Sequence, residues 1–358
     1  MSNTLPYAKV VKNGVTDRLR DQIKVMRAMF TKAASENIPI MILGDLFDHS
    51  RIDPITLTTV VKTLAKSPVD VYIVPGNHDG VNIRGERFSV EALSSIPKIH
   101  YMRTGKPFKP IEWLRFWPIE FATLDKTREF LSSINVDNKI NVLLMHNSIV
   151  GCSYYGCVCG ENAGLNAKEV TSKFDYVFSG HFHKHQEFGK NGMYVGSPMY
   201  LRYDDSDRDY VGWWTIDLYE DGNICRNFHE TECPLFHTFD WDQLKDCNIK
   251  DVMKSTQGDY VRIKVSCTHS ELVKIRQSVE SVIDKLSCST RSATWIHAPI
   301  YHHTKRIESR DEFGLVSQMD MIDQYVDAAE VNTSGLDPDK LKDVGKKIFS
   351  YVESKWQS

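Results

Sequence analysis

The sequence has no apolar run approaching the roughly 18 residues that a membrane-spanning helix needs, which argues against a transmembrane protein. No continuous apolar stretch follows Met1, so we expect no secretory signal. Neither sign of charge dominates, because 44 Lys and Arg residues stand against 47 Asp and Glu residues, a net charge of −3. That balance excludes a uniformly basic nucleic-acid binder but leaves room for a local basic groove. Hydrophobic residues at 41% and charged residues at 25% are ordinary for a globular protein and exclude a fibrous chain.

The eight cysteines are scattered over 358 residues, and together with the lack of a secretory signal they predict a reduced, cytosolic protein. Only Cys152, Cys157 and Cys159 lie close together in the sequence. They could bind zinc, but no second pair at zinc-finger spacing would complete a set of four ligands. We interpret the three as ordinary loop thiols.

Helix-like and strand-like stretches alternate over residues 1–230, which is typical of an α/β domain. Asp17 begins a stretch whose apolar residues recur every three or four positions, which predicts a helix. Asp53 followed by Pro54 predicts the start of a second helix. Short apolar runs predict strands at 38–43, 69–74, 142–145 and 176–178.

The pattern changes after residue 190. Strand-like stretches joined by turns, with Asp221 and Gly222 as a hairpin signal, predict antiparallel strands at the end of the first domain. We interpret residues 231–257 as a connector, followed by a small α/β unit and a charged, helix-prone tail. Together with the length, this pattern predicts domains at 1–230, 231–310 and 311–358.

Four fragments place polar side chains directly after an apolar, strand-like run. They are IMILGDLFD, VYIVPGNHD, VLLMHN and YVFSGHFH, which contribute Asp45, Asp48, Asn77, His78, Asp79, His146, His181 and His183. Ligand sites in open α/β sheets gather beyond the carboxyl ends of the strands, so we expect these side chains to converge. Gly44, Gly76 and Gly180 precede them, at positions where a larger side chain could crowd the cluster.

The chemistry of these side chains predicts a metal cluster. Asp45 can bridge two cations with its carboxylate, and Asn77 offers a neutral amide oxygen. Ring nitrogens come from His146, His181 and His183. Mixed nitrogen and oxygen ligands suit manganese, iron or zinc better than magnesium or calcium.

Two close cations can clamp a phosphate ester and activate water, so we expect hydrolysis of a phosphodiester. His78 could protonate the leaving oxygen or stabilise the phosphate charge, and Asp48 and Asp79 could orient the histidines. Each fragment alone has a plainer interpretation, because GDLFD and GNHD could be turns and His146 could be a core residue. Their joint occurrence, each after a strand, favours the metal cluster.

GDLFD, GNHD, the strand ending in His146 and GHFH together resemble the calcineurin-like metallophosphoesterases. GDLFD-x-x-R, which ends at Arg51, and GSPMYLRYDD at 196–205 resemble a narrower group. That group is the SbcD-type or Mre-eleven-type DNA nucleases, including phage recombination exonuclease subunits. The motif match covers about residues 17–220. The resemblance implies an α/β/β/α sandwich with a smaller α/β capping domain and a helical C-terminal tail.

The resemblance also implies a DNA exonuclease and endonuclease that uses two Mn²⁺ ions per chain, with other divalent metals possible. By the same resemblance, the ligands of one ion are Asp45, Asn77, His146 and His181. Asp45 would bridge to a second ion bound by His183, and His78 would be the catalytic histidine. Family members work on DNA as homodimers, without a membrane, and bind the coiled coils of an SbcC-type ATPase through the tail. The expected location is the cytoplasm, or the host cytoplasm for a viral protein.

One departure from the resemblance concerns the second ion. The group opens with a strand and an Asp-x-His motif that supplies two more ligands, and this sequence has neither. Three explanations compete: a truncated or misassigned start, which we favour, a degraded site, or residues 1–7 folding in without supplying ligands. Because only Asp45 and His183 remain, we expect a weak second site and a poorly active chain.

DNA contacts are predicted at Arg51, Arg84 and Arg87, although a solvated surface is the commoner explanation for such residues. Two other functions stay open. One is a small-molecule or phosphoprotein phosphatase on the same cluster, against which the small domain and the tail argue. The other is a DNA-end scaffold with a decayed metal site, which only the missing Asp-x-His supports.

Overall fold

The structure is a computed structural model that describes residues 1–5, 7–81, 87–154, 156–207, 210–300 and 337–356. The chain divides into one unit of Met1–Val265 with Arg276–Ile296 and another of Ser266–Ile275 with His297–Ser358. The predicted boundaries at residues 230 and 310 stay predictions. Among the residues in these ranges, no helix has the length and apolar character needed to cross a bilayer.

The strands and helices of the described ranges are numbered in chain order. The strands are β1 Val10–Lys12, β2 Val15–Thr16, β3 Ile40–Leu43, β4 Val71–Val74, β5 Ile99–Tyr101, β6 Phe108–Ile111, β7 Leu114–Ile119, β8 Ile140–His146, β9 Ser153–Tyr154, β10 Cys157–Val158, β11 Tyr176–Gly180, β12 Gln186–Phe188, β13 Gly192–Tyr194, β14 Gly212–Leu218, β15 Ile224–Glu230, β16 Phe236–Asp240, β17 Tyr260–Cys267 and β18 Ser292–Pro299. The helices are α1 Asp17–Glu36, α2 Pro54–Leu64, α3 Leu124–Ser133, α4 Ala167–Thr171, α5 Trp241–Leu244, α6 Ile249–Ser255, α7 His269–Ser287 and α8 Pro338–Trp356.

Two sheets form the centre of the first unit. The larger has the order β12-β13-β11-β8-β7-β6, in which the four central strands are parallel to one another and the two edge strands, β12 and β6, are antiparallel. Facing it are the parallel sheet β3-β4-β5 and the antiparallel pair β14-β15. The predicted hairpin at Asp221 and Gly222 is therefore confirmed, because these residues join β14 to β15.

Alternating side chains build three apolar layers around these sheets. On β8 every residue is buried, with Val142 and Leu144 facing the β3-β4-β5 layer and Leu143 and Met145 facing α3 and α4. On the other side, α1 and α2 cover the outer face of β3-β4-β5. The result is an α/β/β/α sandwich, which confirms the predicted fold class.

Local signals account for the first two helices. Thr16 caps α1, because its hydroxyl accepts the N–H of Leu19. Asp53 caps α2 in the same way through the N–H groups of Ile55 and Thr56, with Pro54 at the first helical position. Both predicted helix starts are confirmed.

Residues 231–257 are not a bare connector, so that interpretation is wrong. They contain β16, α5 and α6, and β16 pairs in parallel with β17. Phe236 on β16 stacks on Tyr260 of β17, with ring centroids 4.7 Å apart. The strand was not evident in the sequence because its two apolar residues lie three positions apart and give no alternating pattern.

The second unit contains residues from the ends of β17, α7 and β18, and helix α8. Within it, the N–H of Ile300 donates to the backbone oxygen of Cys267 at 3.1 Å. The predicted helical tail agrees with α8 over Pro338–Trp356. The rest of the tail, 311–336, lies outside the described residues.

Candidate metal centre

Four strands from the two facing sheets end at one place. β3 and β4 are parallel neighbours, and so are β8 and β11, so each pair brings two carboxyl ends to one edge. The chain then turns at once, placing Asp45 and Asn77 on one side and His146 and His181 on the other. This is the convergence that the sequence predicts for ligands after parallel strands.

Side-chain atoms of these four residues meet in a tight group. His146 Nε2 lies 3.2 Å from Asp45 Oδ2 and 3.0 Å from Asn77 Oδ1. His181 Nδ1 lies 3.0 Å from the same Asn77 oxygen and 3.3 Å from His146 Nε2. Potential ligand atoms of Asp45, His146 and His181 all lie within 4.8 Å of one another.

A backbone carbonyl sets the orientation of His146. Its Nδ1 lies 2.8 Å from the oxygen of Leu43, and a carbonyl can only accept, so Nδ1 carries the hydrogen. Nε2 is then the nitrogen that faces Asp45 and Asn77. A metal-binding histidine usually donates a hydrogen bond from one ring nitrogen, which orients the other nitrogen towards the metal.

Burial and neighbouring charges shift the pKa of three of these residues. Burial would raise the pKa of Asp45, but the charge of the His146 ring and their hydrogen bond hold that pKa well below its usual value. Burial would lower the pKa of His146, yet the Asp45 carboxylate raises it above its usual value. Burial and the neighbouring His146 charge lower the pKa of His181 to about 3. The carboxylate and the neutral His181 ring are therefore in the protonation states that bind a metal ion.

Two of these residues are held in an uncommon backbone conformation. Asp45 has φ 53° and His181 has φ 91°, values that non-glycine residues rarely adopt. Such strain costs of the order of 1–3 kcal/mol per residue and clusters at functional sites. This backbone conformation turns the side chains of Asp45 and His181 back toward the cluster directly after β3 and β11.

The glycines before the ligands are required by close approach, as predicted. A Cβ on Gly44 would lie 2.0 Å from His146 Nδ1, and one on Gly76 would lie 2.2 Å from Asp45 Oδ1. A Cβ on Gly180 would lie 1.8 Å from the oxygen of Leu43. No real Cβ contact is that short, so each glycine lets a neighbouring ligand reach its place.

His78 lies beside the cluster without joining it. Its backbone N–H donates to Asp45 Oδ1 at 2.9 Å, and its ring Nδ1 contacts the backbone oxygen of Asp48 at 2.6 Å. The ring lines a cavity of about 310 Å³ together with Asp45 and His181. Asp48 therefore orients His78 through its carbonyl, whereas its carboxylate lies 3.5 Å from His49.

Asp79 braces the backbone instead of contacting a histidine. It is fully buried, and its two oxygens accept the N–H groups of Phe47 and Gly76, each at 3.0 Å. These bonds tie the turn after β3 to the turn after β4. Burial raises the pKa of Asp79, while the two backbone donors act in the opposite direction.

His183 lies near the cluster of Asp45, Asn77, His146 and His181 but is not part of it. It lines the same cavity as Asp45, and its Nδ1 lies 3.5 Å from an oxygen of Asp205, which is almost fully buried. The second predicted metal site is thus represented by Asp45 and His183 among the described residues. Met1 lines a larger cavity that Asp45 and His183 also border, and its amino group bonds the oxygen of Leu46.

The comparisons with known proteins agree with this geometry. Residues 17–185 match the sequence profile of the family described as Calcineurin-like phosphoesterase. The match covers 169 of the 358 residues, slightly less than half of the chain, and includes all four residues of the cluster. This similarity indicates phosphoester hydrolysis, and the narrower SbcD-type group stays a prediction.

The curated relative that this chain matches is distant. The chain is 24% identical over 195 residues to a protein named "Putative phosphoesterase 244L" from Invertebrate iridescent virus 6, covering 48% of this chain and 62% of that protein. The chain thus spans less than two thirds of that relative. One crystal structure aligns with 49% of this chain and 86% of its own at 10% identity, and its TM-score of 0.35 is too low to inform the fold.

The cluster fits a divalent cation. Its four converging groups offer two oxygens and two ring nitrogens, a donor set suited to first-row transition metals. Asp45, Asn77, His146 and His181 would hold one ion. The identity of the metal stays a prediction.

Basic and aromatic side chains near the cluster were not predicted. Lys184, Arg202 and Tyr154 line the cavity that holds Asp45 and His78. Lys184 follows His183 directly and Arg202 lies within GSPMYLRYDD, so their proximity to a motif was the available signal. Of the predicted DNA contacts, Arg51 and Arg87 are exposed and do not line this cavity, and Arg84 lies outside the described residues.

Proposed function

We propose that this chain is a DNA nuclease subunit that hydrolyses phosphodiester bonds with two divalent cations, Mn²⁺ being the first choice. The observation that carries the proposal is the convergence of the side chains of Asp45, Asn77, His146 and His181. Two of them, Asp45 and His181, line a cavity that His78 also lines. When bound, the cations supply Lewis acidity and a lowered pKa of water. Asp45 and His183 would bind the second ion weakly.

The role proposed for His78 is to protonate or hydrogen-bond the leaving oxygen. Its Nδ1 is occupied by the oxygen of Asp48, so Nε2 is the nitrogen left for a substrate in the cavity. Asp45 accepts the backbone N–H of the same residue, which holds the ring close to the cluster. A positioned acid of this kind contributes about 10²–10⁴-fold to a rate.

Three side chains support a nucleic-acid substrate over a simple monoester. Lys184 and Arg202 bring positive charge into the cavity, where they could hold phosphates on either side of the scissile bond. Tyr154 is 40% exposed and stacks on Phe182, with centroids 5.1 Å apart and planes at 15°. Its outer face could stack on a base, as aromatic residues do in single-strand binding.

We also propose a homodimer, an SbcC-type ATPase partner and a cytoplasmic location, the host cytoplasm for a viral protein. The feature that supports the partner is helix α8, on which Val344 and Ile348 lie four residues apart and are 51% and 60% exposed. An exposed apolar row at this spacing suits docking against another helix.

The proposal is tested by comparing linear DNA, bis-p-nitrophenyl phosphate and p-nitrophenyl phosphate as substrates in Mn²⁺. We expect DNA and the diester to be cleaved, and Asp45→Asn to abolish cleavage. His100→Ala is the matched control, because His100 lies on β5 and pairs with Asp70 away from the cluster. Cleavage of the monoester alone would refute the nuclease proposal.

The second candidate is a small-molecule phosphatase, with which the phosphoesterase name of the viral relative is compatible. A DNA-end scaffold is the third, and metal analysis separates it, because a scaffold with a decayed site should hold no ion in the cluster. At least one tightly bound ion per chain would argue against the scaffold.

A further inference from the structure

The segment of residues 200–205 brings a cation to the cavity of the metal centre. It lies within GSPMYLRYDD, and its Arg202 lines the cavity together with Asp45 and His78. The contacts that hold the backbone of this segment therefore decide where the Arg202 side chain can meet a substrate.

Asp205 holds the N–H groups of the segment. Its carboxylate is buried, and one oxygen accepts the N–H of Leu201 at 2.8 Å and the N–H of Arg202 at 3.2 Å. The N–H of Asp205 donates in return to the backbone oxygen of Arg202 at 3.1 Å. These contacts close a tight turn at Arg202.

Two side chains from outside the segment hold its carbonyl groups. The guanidinium of Arg18 donates to the oxygen of Tyr200, and the hydroxyl of Tyr7 donates to the oxygen of Leu201 at 2.7 Å. Two consecutive carbonyls and two consecutive N–H groups are therefore all bound. The backbone that leads into Arg202 is fixed, and so is the point from which its side chain starts.

Arg18 is buried at a cost that packing alone does not explain. It is fully buried in the first turn of α1, and its Nε and Nη1 have no hydrogen-bond partner among the residues that the structure describes. Buried donors without partners are unfavourable. The Phe236 and Tyr260 rings offset part of this cost, because their centroids lie 5.2 and 5.7 Å from Arg18 Cζ.

The aromatic support of Arg18 comes from the strands β16 and β17. Phe236 lies on β16 and Tyr260 on β17, and Tyr7 packs edge-on against both rings at centroid distances of 5.6 and 5.2 Å. These two strands thus support Arg18 and Tyr7, which in turn hold the carbonyl groups of the 200–205 segment.

We propose that Arg18 is a positioning residue that confers preference for a polynucleotide: through the Tyr200 carbonyl it fixes Arg202 at the cavity, where Arg202 binds a phosphate next to the scissile one. The inference rests on the proposed function, because it takes the substrate to be a nucleic acid. A chain of phosphates gains from a cation held at a fixed place beside the metal centre. An ester with a single phosphate gains nothing from it.

The first part of the test measures the hold on the segment without any substrate. Arg18→Met keeps the length of the side chain and removes its charge and its donors, and we expect hydrogen exchange of the Leu201 and Arg202 amides to quicken by roughly tenfold or more. Arg115→Met is the matched control, because the Arg115 side chain is 11% exposed, donates to backbone oxygens near its own strand β7 and does not line the cavity. Unchanged exchange in Arg18→Met would overturn the hold.

Arg18→Lys is the second variant, and it keeps the test decisive if Arg18→Met does not fold. Lysine retains the charge and a donor but not the planar guanidinium that lies near the two rings. We expect exchange of the same amides at a rate between those of the parent chain and Arg18→Met. Exchange as slow as in the parent chain would overturn the role of the guanidinium.

The second part measures binding of a labelled oligothymidine of about eight nucleotides in EDTA, so that no catalysis is involved. Arg18→Met should bind it roughly tenfold more weakly, because a hydrogen-bonded phosphate contact is lost. The slope of log affinity against log salt should be smaller by about 0.7. Arg202→Met should lose as much affinity and the double variant no more, since both changes remove one contact, and additive losses would overturn the route through Arg202.

Hydrolysis in Mn²⁺ separates preference for a polynucleotide from general damage. Arg18→Met should raise KM for the oligonucleotide by roughly tenfold and KM for bis-p-nitrophenyl phosphate by less than about twofold, because the latter has no neighbouring phosphate. Equal rises for both substrates would overturn the role in preference. A parent chain that neither binds nor cleaves the oligonucleotide would refute the nuclease proposal, whereas amide exchange would still decide whether Arg18 holds the segment.

Discussion

Gly180→Ala is the sharpest test of how the metal centre is built. Gly180 ends β11 and is paired with His146 across the sheet. A Cβ there would lie 1.8 Å from the oxygen of Leu43 and 2.8 Å from His146 Nδ1. These two atoms form the hydrogen bond that orients His146, so the methyl group would separate them.

The displacement sets the size of the effect. Contacts under 3.0 Å do not occur, so the carbonyl must move by roughly 1.2 Å from its 1.8 Å position. Loss of a partner that orients a ligand costs about 10–100-fold in metal affinity. A misplacement of about 1 Å costs about 10²-fold in rate, and overpacking of this kind destabilises by about 1–3 kcal/mol.

Three measurements separate these effects. Isothermal titration with Mn²⁺ gives the affinity, hydrolysis of bis-p-nitrophenyl phosphate gives the rate, and urea unfolding gives the stability. Gly160→Ala is the neutral control, because no atom lies within 4 Å of its added Cβ. Gly192→Ala is the stability control, because its Cβ would meet the Phe188 ring at 2.2 Å, away from the ligands.

We expect Gly160→Ala to behave as the parent chain, and Gly192→Ala to lose stability with little change in Mn²⁺ affinity. Gly180→Ala should lose both. If Gly180→Ala bound Mn²⁺ as tightly as Gly160→Ala, the account of His146 orientation through Leu43 would be refuted.

Three further predictions concern His78, pH and Asp79. His78→Ala should lower kcat by about 10²–10⁴-fold while Mn²⁺ affinity is retained, and a parallel loss of affinity would place the ring among the ligands. The Asp45 carboxylate raises the pKa of His146, so below that pKa Mn²⁺ must displace a proton from the ring and should bind more weakly as pH falls. Calorimetric titrations of Mn²⁺ in two buffers of different ionisation enthalpy should show the release of this proton. A heat of Mn²⁺ binding that is the same in both buffers would contradict this proton release. Asp79→Ala leaves the N–H groups of Phe47 and Gly76 buried without partners, so the free energy of unfolding in urea should fall by about 2–5 kcal/mol. A fall under about 0.5 kcal/mol would show that water replaces the carboxylate.

Residues that follow parallel strands were the part of the site most accessible to prediction. The apolar runs before Asp45, Asn77, His146 and His181 are local patterns, and the topology of parallel strands brings their ends together whatever the details of packing. Helices α1 and α2 were also predictable, because their capping residues and apolar periodicity are local patterns. β16 escaped prediction because its pairing partner β17 lies about two dozen residues later in the chain.

Contacts between the ligand turns could not be predicted. Asp79 was expected to orient a histidine and instead holds two backbone turns, because its burial depends on how β3 and β4 turn into the site. Lys184 and Arg202 reach the cavity from turns whose conformation no local pattern specifies.

The amino-acid sequence alone determined the ligand types, the strands that carry them and the glycines at their ends, because periodicity and turn chemistry act over a few residues. Tertiary structure decided which atoms touch: the Leu43 carbonyl and His146, and the N–H groups of Phe47 and Gly76 and the Asp79 carboxylate. The first of these contacts depends on the spacing of two sheets, because Leu43 and His146 lie 103 residues apart in the chain. Such spacing is set by the packing of all the side chains between the sheets, and no short segment encodes it.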